Sequence, residues 1–215
     1  MIPDWAVERQ KMVDHQLRRR GIRDERVLGA MLEIPREQFV PPEERVSAYA
    51  DRPIPIGRGQ TVSQPYMTAL MAESLELTGG ETVLEIGAGS GYAAAVLGAL
   101  AARVVSIEIV PALADLAREN LRRAGRGGNV TVVCGDGSMG YPEMAPYDAI
   151  SVAAGAPEIP AALLEQLRDP GRLVIPVGDW RHQDLRVVVK QGGKVSERVA
   201  TGCLFVPLRG SDGWQ

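Results

Sequence analysis

Thr82-Val83-Leu84-Glu85-Ile86-Gly87-Ala88-Gly89-Ser90-Gly91 is a short β-rich run that breaks into three alternating glycines. Glycine has no Cβ, so the chain can turn sharply there and its backbone can lie against a ligand. A helix of small residues over 93–101 follows. Its first turn presents free N–H groups and the positive end of the helix dipole to whatever sits at the turn. The spacing is G-x-G-x-G: where a dinucleotide fingerprint needs its third glycine, this chain has Tyr92.

Outward from this turn the pattern alternates strand and helix. Strand-like runs at 103–108, 130–134, 147–152 and 172–177 are nearly continuously apolar. Between them, Pro111 opens a helix with Leu113, Leu116, Ala117, Leu121 and Ala124 on one side, stopped at Gly125, and 160–167 reads as another. Such strands belong to a parallel sheet covered on both faces. At the end, 185–190 and 195–201 flank Gly192-Gly193, a hairpin signal, so the sheet finishes with antiparallel strands. Toward the N-terminus, Met12, Val13 and Leu17 recur at helical spacing, and Asp24 can cap a helix carrying Val27, Leu28, Met31 and Leu32. Pro35 ends it; Pro41, Pro42, Pro53 and Pro55 forbid regular helix until 66–75. The expectation is an α/β, doubly wound, Rossmann-like and mostly parallel sheet forming one domain. Residues 1–78 make a helical extension with a loop, and 79–215 make the core with its terminal hairpin.

Three acids stand where the strands end. Glu85 closes the first sheet strand, Glu108 the second, with Ile109 beside it, and Asp136 follows the third, with Gly137 beside it. An acid about 20 residues beyond a glycine turn accepts both hydrogens of a ribose diol. Asp136 can meet an adenine amino group. Glu85 can meet a ligand ammonium, directly or through water. A phosphate-free, ammonium-bearing nucleoside is S-adenosylmethionine, so Glu85, Gly87, Gly89, Gly91, Glu108, Ile109, Asp136 and Gly137 are candidate cofactor contacts. The sequence therefore reads as a class I methyltransferase.

Composition excludes other classes. At 215 residues and 45% hydrophobic the chain can build one sizeable core. A net charge of −3 argues against bulk nucleic-acid binding, and Arg18-Arg19-Arg20 reads as a solvated helix end. Cys134 and Cys203 lie in apolar strands and are expected as buried free thiols. The absence of a membrane-length apolar stretch and the polar start Met1-Ile2-Pro3-Asp4 point to a cytoplasmic protein without membrane partners. His15 and His182 have no motif around them and read as surface or structural residues.

Several further segments carry a resemblance. Ile56-Gly57-Arg58-Gly59-Gln60-Thr61-Val62-Ser63-Gln64-Pro65-Tyr66-Met67 is similar to the segment preceding the core in protein-L-isoaspartate (D-aspartate) O-methyltransferases. So are Gly135-Asp136-Gly137-Ser138-Met139-Gly140-Tyr141, Leu163-Leu164-Glu165-Gln166-Leu167, Ile175-Pro176-Val177-Gly178 and Phe205-Val206-Pro207-Leu208. The resemblance runs in order from about residue 39 to 214, and Gln-Thr-Val-Ser-Gln-Pro is far more specific than the glycine turn. It implies methyl esterification of isoaspartyl carboxylates in damaged peptides and proteins, with S-adenosyl-L-homocysteine as the other product and repair through a succinimide. It implies Ser63 in the active site, Gln60 and Thr61 in a loop over the cofactor, and Val206 and Leu208 in a second wall beside an extended peptide. Ala88, Ala93 and Asp169-Pro170-Gly171 depart from the family pattern and bear on rate rather than on reaction.

The chemistry suits these residues. A carboxylate with a pKa near about 4 is a nucleophile at neutral pH, so neither a general base nor a metal is required. Ser63 would orient the substrate; alone, it reads equally as a helix cap. Two other readings stay open: a related O-methyltransferase retargeted to one dedicated partner, and a cofactor-binding module without turnover. An RNA methyltransferase would want a basic face and an amine-activating motif where Ala153-Ala154-Gly155-Ala156-Pro157 stands. A monomer is expected.

Overall fold

The computed structural model describes residues 3–214; Met1 and Ile2 of the polar start lie outside them. Alternation along the strands sorts apolar side chains between two faces of one sheet. β3 (Thr82–Ile86), β4 (Arg103–Glu108), β5 (Val130–Cys134), β6 (Tyr147–Val152) and β7 (Leu167–Gly178) run parallel. β8 (Gln183–Gln191) and β9 (Lys194–Cys203) add antiparallel pairings, and the sheet order is β5-β4-β3-β6-β7-β8-β9. Val83, Val104, Ala149 and Val174 face one buried cluster. Leu84, Ile86, Val105, Ile107, Ile150 and Val152 face the other. The strand order reverses between β3 and β6, and ligands of open α/β sheets bind in the crevice at such a point.

The first face is covered by α4 (Tyr92–Leu100), α5 (Pro111–Arg123) and the N-terminal elements. α1 (Trp5–Met12) starts at Asp4, whose carboxylate accepts from Ala6 and Val7 N–H, and continues through a π turn, Val13–Leu17, and a 3₁₀ turn, Arg18–Arg20. α2 (Glu25–Glu33) is capped by Asp24, which accepts from Arg26 and Val27 N–H. Met12, Leu17, Val27, Leu28 and Met31 join the same cluster as Val83 and Leu97, so the extension and that face of the sheet share one core. α6 (Ala161–Gln166) puts Leu163 into the second cluster.

Three expectations are corrected. The proline-rich stretch before α3 (Pro65–Ser74) is not wholly irregular: β1 (Ile54–Gly57) pairs antiparallel with β2 (Gln60–Val62). Prolines exclude helix but not an edge strand, and Gly57, Arg58 and Gly59 make the turn with φ of 85°, 55° and 72°. β7 begins at Leu167 rather than at 172, because Asp148 is bypassed by a bulge carrying Asp169 and Pro170, between the pairings of Tyr147 with Leu167 and Ala149 with Arg172. Cys134 is exposed, since β5 is an edge strand with only partial cover; Cys203 is half-buried, and both are free thiols.

Candidate active site

The glycine turn is built by β4. Gly87 and Ala88 N–H both donate to the Ile107 carbonyl, at 2.8 and 3.1 Å, folding the chain back at the end of β3. Gly87 and Gly89 have φ of 94° and 54°, a region that an L side chain adopts only at a cost. The next residue of β4, Glu108, then locks the turn. Its Oε2 accepts from Gly89 N–H at 2.8 Å and its Oε1 from Val110 N–H at 3.0 Å. Each oxygen keeps a further lone pair.

An open cavity of about 790 Å³ lies over this turn. Gly87, Gly89, Glu108, Ile109 and Gly137 line it from the core, Gln60, Thr61 and Ser63 from the hairpin side, and Val206 and Leu208 from the C-terminal segment. Those ten candidates come together from five separate stretches of chain. Lining residues that the sequence reading missed include Tyr92, Ala153 and Ala154. The two alanines follow β6 directly across the strand-order reversal, and that position was the available signal. Tyr92 held a weaker one, as the first residue of the helix after the turn.

Three candidates do not line the cavity. Glu85 is in register with Ser106 on β4, and the period of two sends both side chains to the face of Val83, beneath the helices. There Glu85 is fully buried and accepts from the Ser106 hydroxyl, and its Oε1 has no hydrogen-bond partner among the described residues. Burial pushes its pKa up to about 8, against the Ser106 hydrogen bond and with the charge of Glu108 adding to it. A direct contact with a ligand ammonium is therefore corrected. Gly91 instead makes room for α5: a Cβ there would stand 3.1 Å from the Ala117 carbonyl oxygen. Asp136 is engaged mainly by the chain. Its Oδ1 accepts from Ser138 N–H and Oγ at 2.9 and 2.7 Å, and its Oδ2 from Ser211 N–H at 2.8 Å. Burial raises its pKa, but those hydrogen bonds outweigh burial and hold the carboxyl below its usual range.

A second cavity of about 660 Å³ adjoins the first, and the two share Thr61, Ser63, Ala153 and Val206. Ser63 thus stands in a common wall. Its hydroxyl is not spent as a helix cap, because the N-cap position of α3 is Gln64 and no side-chain capping bond is made there. Arg20 lines the outer part of the second cavity, stacked 3.5 Å over the Tyr66 ring and paired with Asp51 at 2.8 Å. Both histidines are exposed, away from these cavities, His182 lying 3.3 Å from Asp184. Among the described residues no helix is long and apolar enough to cross a membrane, and no group of three or more His, Cys, Asp and Glu could hold a metal ion.

A sheet reversing at β3 and β6, a glycine turn at that point and an acid at the end of the next strand define a class I, Rossmann-like methyltransferase. Comparison narrows the class. The sequence profile of protein-L-isoaspartate(D-aspartate) O-methyltransferase matches residues 7–213. The chain is 57% identical to protein-L-isoaspartate O-methyltransferase of Methanoculleus marisnigri over 97% of its own length and 94% of the relative's. Among solved structures, a protein-L-isoaspartate O-methyltransferase superposes with a TM-score of 0.81 at 33% identity, over 95% of this chain and 66% of that one. A protein of that description from Plasmodium falciparum, in complex with S-adenosyl-L-homocysteine, superposes with a TM-score of 0.80 at 27% identity, over 94% of this chain and 98% of that one. This chain belongs to the protein-L-isoaspartate (D-aspartate) O-methyltransferase family.

Proposed function

We propose that this chain transfers a methyl group from S-adenosylmethionine to the free carboxylate of isoaspartyl residues in damaged proteins and peptides, releasing S-adenosyl-L-homocysteine. The ester then closes to a succinimide that reopens in part to ordinary aspartate. The observation that carries this reading is the common wall: the cavity over the glycine turn and the adjoining cavity meet at Ser63 and Thr61.

The residues present fit that cofactor. A Cβ at Gly87 would stand 3.6 Å from the Ala153 Cβ, so a side chain there would narrow the cradle. The free lone pairs of Glu108 suit a ribose diol, and Ile109 offers an apolar surface to the base. When bound, the cofactor supplies an electrophilic methyl on a sulfonium. The chain supplies position. The Ser63 hydroxyl donates to the acceptor carboxylate and leaves its second oxygen to attack; Thr61 and Val206 exclude water from the junction. No proton moves, so no general base is needed and the barrier falls through alignment and desolvation.

The test is methyl transfer from labelled S-adenosylmethionine to peptides identical except for isoaspartate or aspartate at one position, counting base-labile ester. Only the isoaspartyl peptide is methylated by the wild type. Ser63→Ala lowers kcat/KM by about 10- to 100-fold through lost orientation, with S-adenosyl-L-homocysteine affinity within about threefold of wild type. Methylation of neither peptide by a protein that binds S-adenosyl-L-homocysteine in calorimetry would overturn the reading.

A further inference from the structure

Arg36 is the largest fully buried side chain of the described residues that carries a charge. It lies just beyond α2, in a short 3₁₀ turn, Arg36–Gln38. Its Nε donates to the Ala48 carbonyl at 2.7 Å and its Nη2 to the Ser63 carbonyl, also at 2.7 Å. The guanidinium carbon sits 4.7 Å over the ring of Tyr92, the first residue of α4 and part of the cofactor cavity wall. Burial draws its pKa down, yet a guanidinium keeps its proton in a protein. No carboxylate of the described residues lies within ion-pair distance of it, and its Nη1 is buried without a hydrogen-bond partner among them.

A buried cation held by neutral carbonyls and left with an unpaired donor is a costly way to fill a core. Apolar side chains of similar volume do that better. What the guanidinium achieves, and a hydrophobe cannot, is a bridge between residues 48 and 63, the two ends of the excursion that carries β1 and β2 over the cofactor cavity. Holding the Ser63 carbonyl holds its Cα, and a serine hydroxyl is one rotatable bond from Cα. Placement matters at this point, because a shift of about 1 Å in a reacting geometry costs on the order of a hundredfold in rate.

We propose that Arg36 is a positioning residue for methyl transfer, clamping the backbone of Ser63 so that its hydroxyl stands at the junction of the cofactor and acceptor cavities. The proposal rests on the role of Ser63 given above. It also assigns the N-terminal extension a part in catalysis, since the clamp is delivered from the end of α2.

A double-mutant cycle tests it. Wild type, Arg36→Lys, Ser63→Ala and the double variant are assayed on the isoaspartyl peptide, with S-adenosyl-L-homocysteine affinity measured by calorimetry on each. Lysine keeps the charge but lacks the fork that reaches both carbonyls. The expected result is a loss of about tenfold in kcat/KM for Arg36→Lys in the wild-type background and less than about twofold in the Ser63→Ala background, with cofactor affinity unchanged within about threefold. An equal loss in both backgrounds, or a parallel loss of cofactor affinity, overturns the proposal. Arg36→Gln is carried alongside, and circular dichroism at the assay temperature reports folding. Failure of both variants to fold assigns Arg36 to the core alone, which also overturns it. A wild type inactive on the peptide is a distinct outcome, since it sinks the reading of Ser63 before any variant is compared.

Discussion

At the scale of single residues, the two carboxylates Glu85 and Asp136 sit in opposite regimes. Asp136 is held ionised by amide and hydroxyl donors, and through Ser211 it ties the C-terminal segment to the end of β5. Glu85 is walled off, its pKa pushed up to about 8 by burial against an ordinary value of 4.5. Between those values the folded state keeps a proton that the unfolded chain has lost. The folded state's advantage from this group is complete below pH 4.5 and declines as pH rises through about 8. The slope is about 1.4 kcal/mol per pH unit at its steepest. Urea unfolding between pH 5.5 and 8, a range chosen to lie inside the window that the two values bracket, is expected to show wild-type stability falling relative to Glu85→Gln. Parallel profiles for the two proteins would show that Glu85 is ionised throughout.

The elements around the turn divide the work of its three glycines. Gly87 and Gly89 face the cavity, whereas Gly91 lets α4 start against the side of α5. At Gly91 the backbone has φ of 86° and a Cβ would meet the Ala117 backbone at 3.1 Å, where neither helix can give way cheaply. Gly91→Ala is therefore expected to cost about 1–3 kcal/mol in denaturant unfolding, from a strained conformation and a backbone clash. Cofactor affinity of the surviving folded protein should change little. A stable Gly91→Ala protein that no longer binds S-adenosyl-L-homocysteine would return this glycine to the ligand.

For the molecule as a whole, the decisive feature is one apolar cluster running from Met12 and Leu28 through Leu97 to Val187. An extension that shares its core with the sheet has no separate surface to keep when the sheet melts. Unfolding should be a single transition, coincident by far-ultraviolet circular dichroism and by tryptophan fluorescence, with Trp5 reporting on the extension and Trp180 and Trp214 on the other end of the chain. Two separated transitions would show the extension to be an independent unit. S-adenosyl-L-homocysteine at 100 times its Kd should shift that single transition by about 2.7 kcal/mol.

Sequence alone determined the order of strands and helices, the turn at Gly87 and Gly89, the acid at Glu108 and the terminal hairpin at Gly192-Gly193. These follow from period, from the steric freedom of glycine and from the end of a strand, all of which act within a few residues. The β1–β2 hairpin escaped because proline rules out helix without naming what replaces it. Only the tertiary structure decided the fates of Glu85, Gly91 and Asp136. Ser106, Ala117 and Ser211, from distant parts of the chain, hydrogen-bond one acid beneath the helices, occupy a glycine's open side and tie another acid to the C-terminal segment. Arg36 carried no local signal at all. Its meaning lies in reaching Ala48, Ser63 and Tyr92 at once, and that convergence exists only when the extension has packed against the sheet.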